Sequence, residues 1–148
     1  MLHVLFHAGV EAFAFPALRV RRVVPFASLK RLPGSPDAFA GLLQFRGSPV
    51  PVLDLSQLVL GRASAEVLGS RILITALDDG SGLGWIAESV RDTAWIDPSH
   101  FEAPPVRVDG APWLGKVACI QGQFVQCVEP SELLTDEIRE LLRVHATE

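Results

Sequence analysis

Arg46 is the residue whose type and placement most invite a chemical explanation. It stands beside Gly47, between the apolar stretches Phe39-Ala40-Gly41-Leu42-Leu43-Gln44-Phe45 and Ser48-Pro49-Val50-Pro51-Val52-Leu53-Asp54-Leu55. The two stretches read as strands around a tight turn. A guanidinium there is presented to solvent rather than packed in a core. Its planar fork suits the carboxylate or backbone oxygens of a partner.

Other reactive types are sparse. Of His3, His7, His100 and His145, only the first two lie close together, and their even spacing puts both on one face of a strand. Two ligands fall short of the three or four that zinc takes. No metal is expected, and the pair reads as exposed polar positions of a terminal strand. Cys119 and Cys127 flank a turn at Gly122 and read as small core hydrophobes, not as a disulfide. The chain has no G-x-S-x-G elbow, no P-loop and no G-x-G-x-x-G opening a helix. Asp54 and Glu129, at strand ends, read as caps of the turns that follow them. With no candidate catalytic residue and no cofactor expected, the chain does not read as an enzyme. Trp85, Trp95 and Trp113 suit either a core or a partner groove, and Arg19, Arg21 and Arg22 form the one basic cluster.

The elements that must position these groups are short and numerous. Gly122-Gln123-Phe124-Val125-Gln126-Cys127-Val128-Glu129-Pro130-Ser131-Glu132-Leu133 repeats the pattern of Gly47 to Leu58 at a constant offset of 75 residues. Gly47 falls on Gly122, Val50 on Val125, Asp54 on Glu129 and Leu58 on Leu133, which predicts two similar halves. Apolar runs bounded by Gly, Pro, Asp or Ser predict strands at Leu2–His7, Ala12–Phe15, Val20–Phe26, Leu42–Phe45, Val50–Leu55, Arg71–Leu77, Gly84–Val90, Thr93–Ile96, Leu114–Ile120 and Gln123–Val128. So many short strands indicate an all-β barrel or sandwich. Asp78-Asp79-Gly80-Ser81-Gly82 reads as a hairpin turn. One helix is predicted at the C-terminus, where Leu133, Leu134, Ile138, Leu141 and Leu142 share a face. A helical turn follows Leu55 and ends at Gly61; residues 62–70 and 97–113 read as loops.

Composition narrows the class. The 148 residues suit one domain or two small subdomains sharing a core, and 49% hydrophobic with 20% charged residues fits a folded globule. No apolar run approaches the roughly 18 residues of a membrane span. The first residues lack the pattern of a signal peptide, so a cytoplasmic location is expected. Residues 1–50 carry six Lys/Arg against two acids, whereas 51–148 carry seven against fifteen. A net charge of −4 and a pI near 5.5 argue against wrapping a phosphate backbone. A small β-barrel nucleic-acid binder using Arg19, Arg21 and Arg22 is the alternative reading.

Five blocks in order resemble the CheW family, the adaptors between chemoreceptors and the histidine kinase CheA. They are Phe13-Ala14-Phe15-Pro16 with Val20-Arg21-Arg22-Val23, then Gly41 with Gln44-Phe45-Arg46-Gly47, then Pro51-Val52-Leu53-Asp54-Leu55, and later Gly84-Trp85-Ile86-Ala87-Glu88-Ser89-Val90. The resemblance runs from about Leu2 to Leu142. It implies an all-β fold of two packed five-stranded SH3-like β-barrel subdomains with a C-terminal helix, intertwined as a single CheW-like domain over residues 1–148. It also implies a scaffold without catalytic activity, at membrane-associated receptor arrays of a bacterial two-component system. The implied partners are the cytoplasmic tip of a methyl-accepting chemotaxis protein and the regulatory domain of a CheA-type kinase, with no nucleic acid and no membrane insertion. Carried over by position, Val20, Arg22, Val23, Gly41, Leu43, Arg46 and Gly47 line or support the partner surface, and Gly84 and Val90 add to it from the second barrel. The chain departs from the family wording at Gln44 (for Asn), Phe45 (for Leu), Arg22 (for Glu) and Ala87-Glu88 (for Val-Asp). A reversed charge at an interface rejects the old partner. The departures therefore point to a non-standard array serving pili, surface sensing or second-messenger synthesis, or to a divergent paralogue that binds one partner only.

Overall fold

Among the described residues ten strands form two five-stranded sheets whose strand orders correspond one to one. The computed structural model describes residues 1–65, 70–77, 80–101 and 116–147. The strands are β1 (Leu2–Ala8), β2 (Glu11–Pro16), β3 (Val20–Pro25), β4 (Phe39–Phe45), β5 (Ser48–Asp54), β6 (Arg71–Ala76), β7 (Gly82–Ala87), β8 (Ser89–Trp95), β9 (Lys116–Ile120) and β10 (Gln123–Cys127). Helix α1 spans Leu55–Leu60 and α2 spans Asp136–Thr147. The central sheet, β3-β6-β7-β5-β4, uses one continuous stretch of chain; the terminal sheet, β8-β1-β2-β10-β9, joins the N-terminal hairpin to the last three strands. Each sheet has a single parallel pair at the same place, β5 with β7 (Val52 opposite Gly84) and β10 with β2 (Val125 opposite Ala12). The all-β fold class expected from the sequence is what the structure has.

The 75-residue repeat reappears in the backbone. The β4–β5 hairpin turns on Arg46 (φ 52°) and Gly47 (φ 80°), and the β9–β10 hairpin turns on Gln121 (φ 51°) and Gly122 (φ 78°). Positive φ at both central residues defines the type I′ turn, whose twist matches that of the flanking strands. Glycine fits the second position without a side-chain penalty. Arg46 and Gln121 are the only non-glycine residues at positive φ among the described residues.

Side chains alternate between faces as strand geometry requires. From the terminal sheet Val4, Phe6, Phe13 and Phe15, and from the central sheet Leu53, Leu73, Leu83 and Trp85, enter one shared core. Phe15 meets Trp85 edge-on, with ring centroids 5.9 Å apart. The indole Nε1 of Trp85 donates to Thr75 Oγ1 at 3.0 Å, so its one polar atom is satisfied inside that core. The other faces hold smaller clusters: Leu43, Val50, Val52, Ile72, Ile74 and Ile86 in the central sheet, and Ala12, Ala14 and Val125 in the terminal one.

Local chemistry ends the elements. Asp54 caps α1, accepting from the Gln57 amide at 3.4 Å, and Gly61 closes that helix at φ 74°. At the equivalent place in the repeat Glu129 precedes a 3-10 turn, Pro130–Leu133, whose Glu132 carboxylate takes the Glu129 amide at 3.0 Å. Asp54 is therefore a cap, as expected, whereas the side-chain bond at the second turn is made by Glu132 while the Glu129 carboxylate pairs with Arg19. The C-terminal helix starts only at Asp136, so Leu133 and Leu134 belong to the turn before it; Ile138 and Leu142 are buried against the shared core. The expected strand Gly84–Val90 is in fact two, broken at Glu88. The hairpin turn expected at 78–82 joins β6 to β7, with Asp78 and Asp79 outside the described residues, as are Leu114, Trp113 and most of the loop at 97–113.

Candidate partner-binding groove

The charged hairpin tip overlooks a groove of about 770 Å³ on the central sheet. Its walls come from β3, the β4–β5 hairpin, the β6–β7 turn and α2. The lining combines the apolar Leu42, Val50, Ile74 and Leu142, of which the last three are buried, with Arg21, Arg22, Arg46 and Arg139. All four arginines are exposed. Two local devices aim them. The pairing of β3 with β6 jumps from Val20–Thr75 to Arg22–Ile74. The extra residue, Arg21, makes a bulge that turns two successive arginines toward one opening. Arg46 is held by the positive-φ turn, and its guanidinium carbon lies 5.2 Å from the centroid of the Phe45 ring. That is cation–π stacking, worth about 0.5–1 kcal/mol at an exposed site. Phe45 thus orients the arginine beside it.

The nine residues carried over by position divide in this structure. Arg22 and Arg46 line the groove, and Gly47 is exposed beside them at the hairpin tip. Val23 is 40% exposed on β3. Leu43 is buried among the side chains beneath the groove, and Gly41 and Gly84 are buried with it. Gly41 has φ +146° at a β4 bulge, where an added Cβ would lie 2.8 Å from the Lys30 carbonyl oxygen. A Cβ on Gly84 would lie 2.9 Å from Val52 Cγ2. These three are packed beneath the surface rather than exposed on it. Val20 and Val90 are half-buried against the shared core, away from the groove lining. The sequence reading omitted Arg139 and Leu142, although their spacing on one helix was a usable signal.

The basic cluster is likewise split. Arg19 pairs with Glu129, Nε to Oε2 at 2.9 Å, tying the turn before β3 to the end of β10. Arg21, Arg22 and Arg46 make no ion pair among the described residues.

Below the shared core a carboxylate organises the junction. Glu88 accepts from the Gly9 amide at 2.7 Å, Ser56 Oγ at 3.0 Å, Arg62 Nη1 at 2.7 Å and the Ala65 amide at 3.1 Å. Partial burial pushes this carboxyl up, but the Arg62 hydrogen bond, the two amides and the Ser56 hydroxyl outweigh it and hold it at about 2. Glu88 therefore links the β1–β2 turn, α1 and the segment after it. This is why the strand breaks there.

Three expectations about reactive side chains change. His3 is not an exposed polar position: it is 2% exposed, with Nδ1 3.1 Å from the Met1 carbonyl oxygen and its ring edge-on to Phe101. His7 is half-buried, and burial together with the Arg91 charge lowers its pKa. Cys119 is exposed rather than core, and the register sets it opposite Phe124 while Cys127 faces Lys116. Cys127 does pack against the inner cluster of the terminal sheet, and burial pushes its thiol up to about 11. Trp85 is core, whereas Trp95 is 79% exposed on the edge strand β8. No group of three or more His, Cys, Asp or Glu suited to a metal occurs among the described residues, nor does a helix long and apolar enough to cross a membrane.

The fold is all-β, two related sheets with a groove lined by arginines and apolar side chains on one of them. The comparisons narrow this to one family. The CheW-like domain model matches residues 2–138, and the chain belongs to that family. It is 23% identical over 139 residues to the chemotaxis protein CheW of Rhizobium meliloti (strain 1021), covering 93% of this chain and 89% of that protein. Against the chemotaxis protein CheW of Bacillus subtilis (strain 168) the identity is 26% over 103 residues, covering 69% and 65%. The crystal structure of the scaffolding protein TtCheW from Thermoanaerobacter tengcongensis superposes with a TM-score of 0.84 at 25% identity, covering 95% of this chain and 92% of that one. The protein is a CheW-family scaffold of chemotaxis signalling.

Proposed function

We propose that this chain is a non-catalytic adaptor that couples the cytoplasmic tip of a chemoreceptor to the regulatory domain of a CheA-type histidine kinase. On this reading it works in the cytoplasm, at membrane-associated arrays reached through its partners. Its two intertwined halves act as one domain over residues 1–148, an inference supported by the core the two sheets share. The observation that carries the reading is Arg46. A bulky residue at positive φ costs about 1–2 kcal/mol relative to glycine, and this one is stacked on Phe45 and turned to an open groove. Gln121 pays the same backbone cost at the matching turn, so the conformation belongs to the hairpin and the charge is what sets Arg46 apart.

The departures at Arg22, Gln44 and Phe45 support a dedicated receptor and kinase for an output such as pili, surface sensing or second-messenger synthesis. Arg22 and Phe45 line the groove itself. Co-purification with each partner tests the reading. Arg46→Glu should lose the receptor or the kinase while circular dichroism stays unchanged, and full retention of both would sink the role of Arg46. Capture of one partner only by the unmodified protein would favour a paralogue that has lost coupling. The nucleic-acid alternative is weakened by Arg19, whose charge is engaged by Glu129.

A further inference from the structure

We infer that the arginine-lined groove is a binding site for a small nucleotide, a planar base carrying two or more phosphate groups. Such a site stands independently of the adaptor reading, which fails on a different result, capture of neither receptor nor kinase by the unmodified protein. Unneutralised guanidiniums and an aromatic platform point to it together. Arg21, Arg22, Arg46 and Arg139 share the lining of one groove, and no Asp or Glu stands among its described lining residues. Like charges around one groove repel, and an anion seated among them relieves that repulsion. Arg139 is already oriented, since its Nη2 donates to the Ser131 carbonyl oxygen at 2.7 Å. Guanidiniums take phosphate oxygens in paired hydrogen bonds, and a terminal phosphate brings a charge of about −1.5 to −2.

The platform distinguishes a nucleotide from a bare anion. Phe45 is half-buried in the lining, and the Arg46 guanidinium carbon lies 5.2 Å from its ring centroid. A planar base can stack on that pair, as bases do on aromatic rings and guanidinium planes. Val50, Ile74 and Leu142, all buried, give the base apolar neighbours. The volume of about 770 Å³ falls within the roughly 300–1,000 Å³ of small-molecule sites. Both departures from the family wording within this lining act in the same direction. Arg22 for Glu removes a carboxylate, and Phe45 for Leu adds a ring. A net charge of −4 disfavours a long phosphate backbone but not a ligand confined to this groove.

Isothermal titration calorimetry of the full chain with ADP and with GDP tests the site, beside adenosine, inorganic pyrophosphate and a single-stranded DNA oligonucleotide. At least one of the two nucleotides should bind, one per chain, and weaken as salt rises. Pyrophosphate should bind at least about tenfold more weakly than that nucleotide, because it cannot stack, and adenosine should not bind. Arg46→Asn, which suits the same turn, should weaken the nucleotide at least about tenfold. Phe45→Leu should weaken the nucleotide and leave pyrophosphate unchanged. Arg19→Gln is the control, since Glu129 engages that charge outside the groove, and it should bind as wild type does; circular dichroism checks the fold of each variant. Four results overturn the inference: neither nucleotide binding at about 1 mM, pyrophosphate binding as tightly as the nucleotide, the oligonucleotide binding more tightly, or a nucleotide affinity indifferent to both Arg46→Asn and Phe45→Leu.

Discussion

Replacing Glu88 with glutamine should destabilise the protein in a pH-dependent way whose size follows from the structure. The carboxylate takes four hydrogen bonds from three separate segments, and its side chain is 12% exposed. It is held at about 2 against an ordinary 4.5. At about 1.4 kcal/mol per pH unit the difference is worth about 3 kcal/mol at neutral pH. Arg62 is half exposed, and solvent screens its share, so about 2 kcal/mol is the expected loss. The folded-state pKa is depressed. The contribution is therefore complete above about pH 4.5 and drains away as pH falls toward about 2. Urea unfolding of wild type and Glu88→Gln at several pH values between 7 and 3 measures the difference directly, and subtraction removes the other acids. The two stabilities should differ by about 2 kcal/mol at pH 7, and the gap should shrink to roughly half of that or less by pH 3. A difference under about 0.5 kcal/mol at pH 7, or one that does not change with pH, would refute the linkage.

Three other perturbations probe the remaining supports. Gly84→Ala places a Cβ 2.9 Å from Val52 Cγ2 and 3.0 Å from Ile72 Cγ2 and should cost about 1–3 kcal/mol by urea unfolding; a neutral result would mean the sheet yields more than its packing suggests. Arg46→Asn should leave stability unchanged or raise it by up to about 1 kcal/mol, since Asn-Gly favours the type I′ turn, while partner capture falls. Iodide should quench Trp95, 79% exposed, and spare Trp85, which is fully buried. Trp95→Phe should then lower the quenchable fraction of the fluorescence and Trp85→Phe should raise it, and the opposite pattern would contradict the placement of the two rings.

The features legible in the sequence were those set by local rules. Gly47 and Gly122 announced two turns because only a few residue types tolerate positive φ, and the apolar runs beside them announced strands. Asp54 and Gly61 marked both ends of α1 for the same kind of reason. What the sequence concealed depends on contacts between distant segments. Nothing local shows that β1 and β2 complete the sheet of β8, β9 and β10. No local signal marks Glu88 as the break in the expected strand Gly84–Val90, because its donors lie at Gly9, Ser56, Arg62 and Ala65. His3 looked exposed until Phe101 and the Met1 carbonyl closed over it. In the groove, Arg22 and Arg46 were identifiable by type and position. Arg139 joins them only through the docking of α2, and the bulge at Arg21 follows from pairing register rather than composition.

The central claim is that this chain bridges two partners, and reconstitution tests it most directly. Receptor cytoplasmic fragments are attached to vesicles and mixed with the kinase regulatory domain, with and without this protein, and the vesicles are sedimented. The kinase domain should sediment with the receptor only when the protein is present, and Arg46→Glu should abolish that recruitment without loss of fold. Recruitment that is the same with and without the protein, or wild-type protein that stays in the supernatant with neither partner, would contradict the account.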